Sequence, residues 1–312
     1  MGMVALAVKT DNTRVSEILE TSALAKVQAA CNFVNAEVNR LRNKTIAIVV
    51  ICIAAVFVLW MITGLGDVSV ALVIAAGISI FVVVRARSEL ASSFTSLAAK
   101  RIVAGLGQGL TYKPTSSLTK RHFVAMDLFP ERCERWQSSD EIGGKAGGAK
   151  YTLHRVRAGG GDRKVQIFQG VIMKLDFSDN FPAHTIIVPD QSGQLTLAAK
   201  ATPSSGKKKD LVMMKNPVFE RMFSVHSSDY YEARKLVTPE FMRIVMDAQE
   251  ALGAEMRLCF MQRSLYVTVA GDAIRFQPTL FAEPLTPQAA VGTLVPLVAL
   301  AQRLAQTRDS SQ

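Results

Sequence analysis

Two uncharged apolar runs, Thr45 to Thr63 and Val68 to Val84, dominate the pattern of polar and apolar positions along the chain, with only Gly64-Leu65-Gly66-Asp67 between them. At about 1.5 Å rise per residue these helices would reach roughly 28 and 26 Å, enough to cross a hydrocarbon layer about 30 Å thick with little tilt. The pattern predicts a two-helix transmembrane hairpin over residues 45–84. A soluble pair of helices holding only Asp67 would instead have to be buried on every side in a large domain. Arg40, Arg42 and Lys44 precede the hairpin and Arg85 and Arg87 follow it. Positive residues at both outer ends place both termini in the cytoplasm. Met1 to Val8 is apolar but lacks a basic leader and is no secretory signal. Leu6 stands where a myristoylation site needs Ser or Thr.

Before the hairpin, residues 1–44 form an N-terminal cytoplasmic amphipathic helix that starts near Thr13, a plausible N-cap. Its apolar positions Leu24, Val27, Cys31, Val34, Val38 and Leu41 recur in alternating steps of three and four, as in a coiled coil. Residues 85–110 form an amphipathic stalk helix with Leu90, Phe94, Leu97, Ala98 and Ile102 on one face, ending at Gly105 and Gly107. Two arrangements follow: an antiparallel stalk in which each stripe covers the other, or self-association through the Leu24 to Leu41 seam. They are compatible.

Residues 111–312 read as a cytoplasmic α+β domain with an antiparallel or mixed sheet and packed helices. Tyr151 to Arg157 and Val165 to Phe177 flank Gly159-Gly160-Gly161-Asp162 as a hairpin, and His184 to Val188 adds a strand stopped by Pro189-Asp190. Residues 191–210 include a flexible loop. Thr238-Pro239-Glu240 opens the strongest helix, with Phe241, Ile244, Val245, Ala248 and Leu252 on one face and Gly253 at its end. Met256 to Met261 and Ser264 to Ala270 alternate as a further hairpin. A last helix, Pro287 to Gln306, carries Pro296 inside it, which predicts a kink.

Of 312 residues, 49% are hydrophobic, and the formal net charge is +10. The first 44 residues hold +2 and the hairpin −1, which leaves +9 for Arg85 to Gln312. A basic domain beside the membrane implies anionic lipid as one partner, alongside a second copy of the chain or another membrane or cytoplasmic protein. Nucleic acid is not expected, because Lys207-Lys208-Lys209 lies in a Ser/Gly/Pro-rich loop with no aromatic beside it. Cys31, Cys52, Cys133 and Cys259 lack zinc-like spacing and read as reduced structural thiols. His122, His154, His184 and His226 are isolated, so no metal and no cofactor is expected.

Catalytic motifs are scarce. Gly143-Gly144-Lys145-Ala146-Gly147-Gly148-Ala149-Lys150 has glycines and lysines like a phosphate-binding loop, but Ala149 precedes the lysine and Tyr151 replaces the magnesium-binding hydroxyl; a flexible loop explains it better. Asp176 and Asp179 lack the further ligands of a calcium loop and suit a solvated turn between two strands. The densest polar cluster is Ser228-Asp229-Tyr230-Tyr231-Glu232-Ala233-Arg234. Read structurally, Ser228 caps a helix, Asp229 and Glu232 favour its positive end, the tyrosines pack below and Arg234 pairs with a carboxylate. Read functionally, Arg234, Tyr230 and Tyr231, with Asp229 beside them, make a small anion-binding patch.

Phe168-Gln169-Gly170, Asp176-Phe177, Phe181, Thr185 and Val188-Pro189-Asp190 form an ordered block. It continues through Asn216-Pro217-Val218-Phe219-Glu220, Phe223-Ser224-Val225, Ser228-Asp229, Glu232-Ala233-Arg234, Leu236, Thr238-Pro239, Leu265-Tyr266 and Phe276-Gln277-Pro278. Over about Ala98 to Phe281 the chain resembles the bacterial membrane-anchored family catalogued as domain of unknown function three-one-three-seven. The resemblance implies a bacterial inner-membrane protein, multi-pass, with a cytoplasmic α+β domain, and it carries no catalytic residues over. Three functions remain open on the sequence. The first is a non-enzymatic membrane-tethered scaffold or adaptor that oligomerises or binds another protein. The second is a membrane-shaping or anionic-lipid-sensing protein. The third is an enzyme whose site gathers distant residues such as His184, Asp176 and Arg234.

Overall fold

The computed structural model describes residues 21–63, 68–89, 95–107, 109–161, 165–190, 209–271, 284–287, 291–292 and 294–309. Thr13, Leu90, Phe94, the Gly64 to Asp67 connection, Lys207, Lys208 and Phe276 to Phe281 lie outside the described residues, as does most of the 191–210 loop. No Gly or Pro interrupts residues 21–63. That stretch is one helix, α1 (Thr21–Thr63), 43 residues long and hence about 65 Å. It is followed by α2 (Val68–Glu89) and α3 (Thr95–Gly105). Ala86 of α2 packs with Val34 and Val38 of α1.

The seam of α1 is covered inside the chain. Val27 and Cys31 are fully buried in the main core together with Ala99, Ile102 and Val103 of α3, while Val34 and Val38 join Ala98 in a satellite cluster against which Leu41 packs. Leu24 is partly buried against the main core. A Cβ on Gly105 would stand 3.2 Å from the Val27 backbone nitrogen, so the glycine permits the close approach of α3 to α1. Asn35 adds a bidentate clamp, donating to the Leu285 carbonyl at 2.9 Å and accepting from the Leu285 amide at 2.8 Å.

The rest is a mixed α+β body built on an antiparallel sheet. After β1 (Thr111–Thr115) and α4 (Lys120–Met126) come β2 (Arg135–Ala146), β3 (Ala149–Gly159) and β4 (Gln166–Pro189). Then follow β5 (Asp210–Leu211), α5 (Pro217–Met222), β6 (Phe223–Ser227), α6 (Tyr230–Leu236), α7 (Pro239–Leu252), β7 (Met256–Ala270) and α8 (Leu294–Asp309). The order is β1-β2-β3-β4-β6-β5, and β7 pairs with β4. Residues 166–176 of β4 pair with β3 and residues 185–189 with β6. Strand β7 runs along the other edge of both halves. The sheet face bearing Ile142, Leu153, Val171, Met173, Leu258 and Val267 packs under α7 and α8. The opposite face, with Val156, Phe168, Ile172, Cys259 and Tyr266, is covered by Phe123 and Met126 of α4 and by Leu128.

Several sequence expectations change here. Gly143 to Lys150 is no flexible loop: it ends β2, turns at Gly147 (φ 55°) and starts β3, with Ala146 opposite Ala149. Asp176 to Asn180 does not separate two strands but forms an irregular stretch within β4, whose register against β7 shifts between Asp176 and Phe181. Met256 to Ala270 is not a hairpin. Gln262 takes φ 57° within one strand, a bulge that shifts the alternation by one residue. Phe260 and Leu265, five apart, therefore face the same core. Pro296 lies in the first turn of α8, where the missing N–H has no intrahelical partner to lose, so it starts the helix instead of kinking it. Helix α7 forms as expected, with Thr238 accepting from Phe241 N at 3.2 Å, Pro239 in the first turn and Gly253 at φ 57°.

Candidate functional site

Three places combine exposure or chemistry with a defined geometry. The first is the surface of α1 beyond Thr45. Below it one face of the helix is core; above it Ile51 is 66% exposed, Phe57 57%, Met61 66% and Ile62 78%. Val73, Ile80 and Phe81 of α2 are similarly open. These side chains are not buried within this chain. By length and composition α1 has the span of a membrane-crossing helix over Leu24–Val58, near the N-terminus, where a signal sequence also passes the same test. In α2 the described apolar stretch is shorter, Ala76–Ala86, so the second crossing expected from sequence does not stand on the same footing.

The second place is α6. Asp229, not Ser228, is its N-cap: the Asp229 carboxylate accepts from Tyr231 N at 2.8 Å and Glu232 N at 3.0 Å. The Ser228 hydroxyl accepts instead from His184 N on β4 at 3.1 Å. Arg234 is exposed and donates from Nη1 to the Tyr230 hydroxyl at 3.0 Å, with its guanidinium 5.6 Å from that ring. Its partner is thus a tyrosine, where a carboxylate was expected. Tyr231 does not pack below; it is 77% exposed and meets Tyr230 edge to face at 5.6 Å. The structure brings the four candidate residues together on one exposed turn. The Asp229 carboxylate serves the helix end.

The third place was missed by sequence reading, because its members come from different strands. His154 on β3 is fully buried opposite Glu141 of β2. Its Nδ1 lies 2.8 Å from the Ser116 hydroxyl and its Nε2 2.9 Å from that of Thr152. Glu141 stands 3.9 Å from Nδ1, on the same ring nitrogen as the serine. A catalytic triad needs the acid on the nitrogen opposite the nucleophile, so this arrangement does not activate Ser116. Burial lowers the His154 pKa to about 4, against the opposing pull of Glu141. For Glu141, burial pushes upward, but hydrogen bonds from Ser117 together with His154 and Lys113 bring the net shift down. Alongside, Asp140 accepts from the Tyr112 hydroxyl at 2.7 Å and pairs with Arg155 at 2.5 Å. Lys174 pairs with Asp176, which accepts from Ser264 at 2.5 Å.

Under α4 lies a buried ion pair, Lys209 Nζ to Asp127 at 2.7 Å, with both side chains at 0–1% exposure. The lysine run placed in a Ser/Gly/Pro-rich loop therefore ends in the core. Asp127 sits in the left-handed conformation that ends α4. Nearby, His184 Nε2 is 3.2 Å from both the Met126 carbonyl and Cys259 Sγ. Burial pushes the Cys259 thiol far up, which withholds the thiolate a nucleophile requires. His184, Asp176 and Arg234, the residues of the enzyme reading, thus have three separate sets of partners. Among the described residues no three or more His, Cys, Asp or Glu side chains are placed to hold a metal.

Residues 166–305 match the model of a family described as Protein of unknown function (DUF3137). Gly170, within the Phe168-Gln169-Gly170 motif that carries the resemblance, has a physical reason to be glycine: a Cβ there would lie 2.1 Å from the Val269 carbonyl oxygen of β7. No curated protein matches the chain. The structure is similar to the crystal structure of the mycobacterial trehalose monomycolate transport factor A, TtfA, with a TM-score of 0.36 and 10% identity, covering 68% of this chain and 96% of that one.

Proposed function

We propose, from the match of residues 166–305 to the DUF3137 family model, that this chain is a bacterial inner-membrane anchor fused directly to an interaction domain, acting as a non-enzymatic scaffold or adaptor. The observation that supports it most is the continuity of α1. One unbroken helix contributes Val27 and Cys31 to the domain core and then exposes Ile51, Phe57 and Ile62. No linker separates anchor from domain, so the domain is held against the headgroup layer in a fixed attitude. In this reading α1 and α2 form a multi-pass hairpin, both termini are cytoplasmic, and the domain binds a second copy of the chain or another protein. The exposed Tyr230, Tyr231 and Arg234 have the side-chain types that dominate binding at protein interfaces.

In-cell crosslinking with mass spectrometry tests the proposal. Crosslinks from the domain to a second copy or to one recurring protein, lost on Tyr231→Ala/Arg234→Ala, are expected. Exclusively intramolecular crosslinks in gently solubilised membranes would overturn it.

A further inference from the structure

The cations at the base of the apolar surface are ordered by height. At 100° per residue, Lys26, Phe33, Arg40 and Lys44 fall within about 40° of one another on α1. Arg101 of α3 lies over the Phe33 ring at 3.7 Å. Lys26, Arg40, Lys44 and Arg101 are exposed, so a basic stripe climbs this helix face toward the first apolar run. Arg42, half-buried, lies across the seam. Arg85 of α2, exposed, lies lower, since its neighbour Ala86 packs with Val34 and Val38, roughly 10 Å or more below Thr45. One carboxylate shares this zone on α1, Glu37, 3.9 Å from Arg40.

Height divides the stripe. Lys44 adjoins Thr45, and Arg42 and Arg40 lie about 4–8 Å below it, within the roughly 5–8 Å of headgroup layer that flanks the hydrocarbon. Arg101, at the level of Phe33, lies about 18 Å below and Lys26 lower still. Only the upper cations reach lipid phosphates. Arginine and lysine are suited to that contact as a planar fork and a point charge, respectively.

We propose that Arg40, Arg42 and Lys44 form a collar that selects anionic phospholipids, holding their phosphates around the upper part of α1 where its apolar run begins. This rests on the membrane-anchored reading above. The collar concentrates acidic headgroups where the domain meets the membrane. Glu37 limits the collar on its lower side.

The test uses the full chain reconstituted into nanodiscs of phosphatidylcholine with a minor fraction of phosphatidylglycerol, where both faces are open and orientation has no influence. Lipids retained on transfer to detergent are quantified by mass spectrometry. Phosphatidylglycerol should be enriched about fivefold over its bulk share. Arg40→Gln/Arg42→Gln/Lys44→Gln should return it to the bulk share, the matching Arg→Lys variant should keep it, and Lys26→Gln/Arg101→Gln should leave it unchanged. Absence of enrichment in the wild type, or equal loss from the lower pair, overturns the collar. Displacement of the lipid by inorganic phosphate would assign these cations to a free anion and overturn it as well. A chain stripped from native membranes by alkaline carbonate defeats the anchored reading itself, whereas a carbonate-resistant chain without enrichment defeats the collar alone.

Discussion

At the scale of single residues, His154 is the side chain whose behaviour the structure fixes most firmly. Its folded pKa of about 4 lies below the ordinary 6.5, and desolvation is the cause. Between those values the unfolded chain binds a proton that the folded one refuses, so stability is full above about pH 6.5 and falls as pH drops toward 4. At pH 5 the loss from this group is about 2 kcal/mol. Thermal unfolding of the full chain in detergent should therefore show His154→Gln losing that much less stability than wild type on going from pH 7 to pH 5. Equal losses would mean that His154 is protonated in the fold. His226, also depressed by burial, acts in the same direction in both proteins. None of this was legible in sequence: Glu141 and His154 are 13 residues apart, and only the β2–β3 register, shifted at the left-handed Asp140, makes them neighbours. The capping of α6 was nearly legible. Ser228 and Asp229 are both good caps, and what decides for Asp229 is the demand of His184 N on the Ser228 hydroxyl.

At the scale of elements, helices with complete end signals read correctly and long irregular strands did not. Helix α7 has its cap, its proline and its terminal glycine in sequence, all acting within a few residues. Strands β4 and β7 contain irregular stretches that break the alternation, and a broken alternation reads as a turn. Which way the chain goes is then decided by pairing between residues 71 or more apart, from Ile187 with Leu258 to Gly170 with Ala270. The covering of α1 is similar. Its apolar seam was plain, but its partners are α3 and, through Asn35, the backbone at Leu285. Asn35→Ala should cost about 1–3 kcal/mol, because two part-buried backbone groups lose their partners. Hydrogen exchange would report it as faster exchange at the Leu285 amide, while the amides of α7 remain protected at their wild-type rates relative to global unfolding. An unchanged Leu285 rate would refute the clamp.

At the scale of the whole molecule, α1 joins two environments. One face of its lower half is core and its upper half presents apolar side chains to the surroundings, so the domain cannot swing freely about the exposed half of the helix. If α1 and α2 cross the membrane as a pair with the basic ends inside, a fluorescent protein fused after Gln312 should fluoresce and alkaline phosphatase fused there should be inactive. The reverse would place the C-terminus outside and remove the cytoplasmic assignment of the domain. The sequence by itself determined the apolar segments, their basic flanks, the seam on α1 and the α+β character of the body, because each rests on local periodicity or on composition. Only the tertiary structure decided that the seam is covered by the chain's own α3, that Lys209 is buried against Asp127, and that His154 and Glu141 meet. Those outcomes depend on sheet register and helix docking, in which the free energy of each contact is shared between residues far apart in the chain.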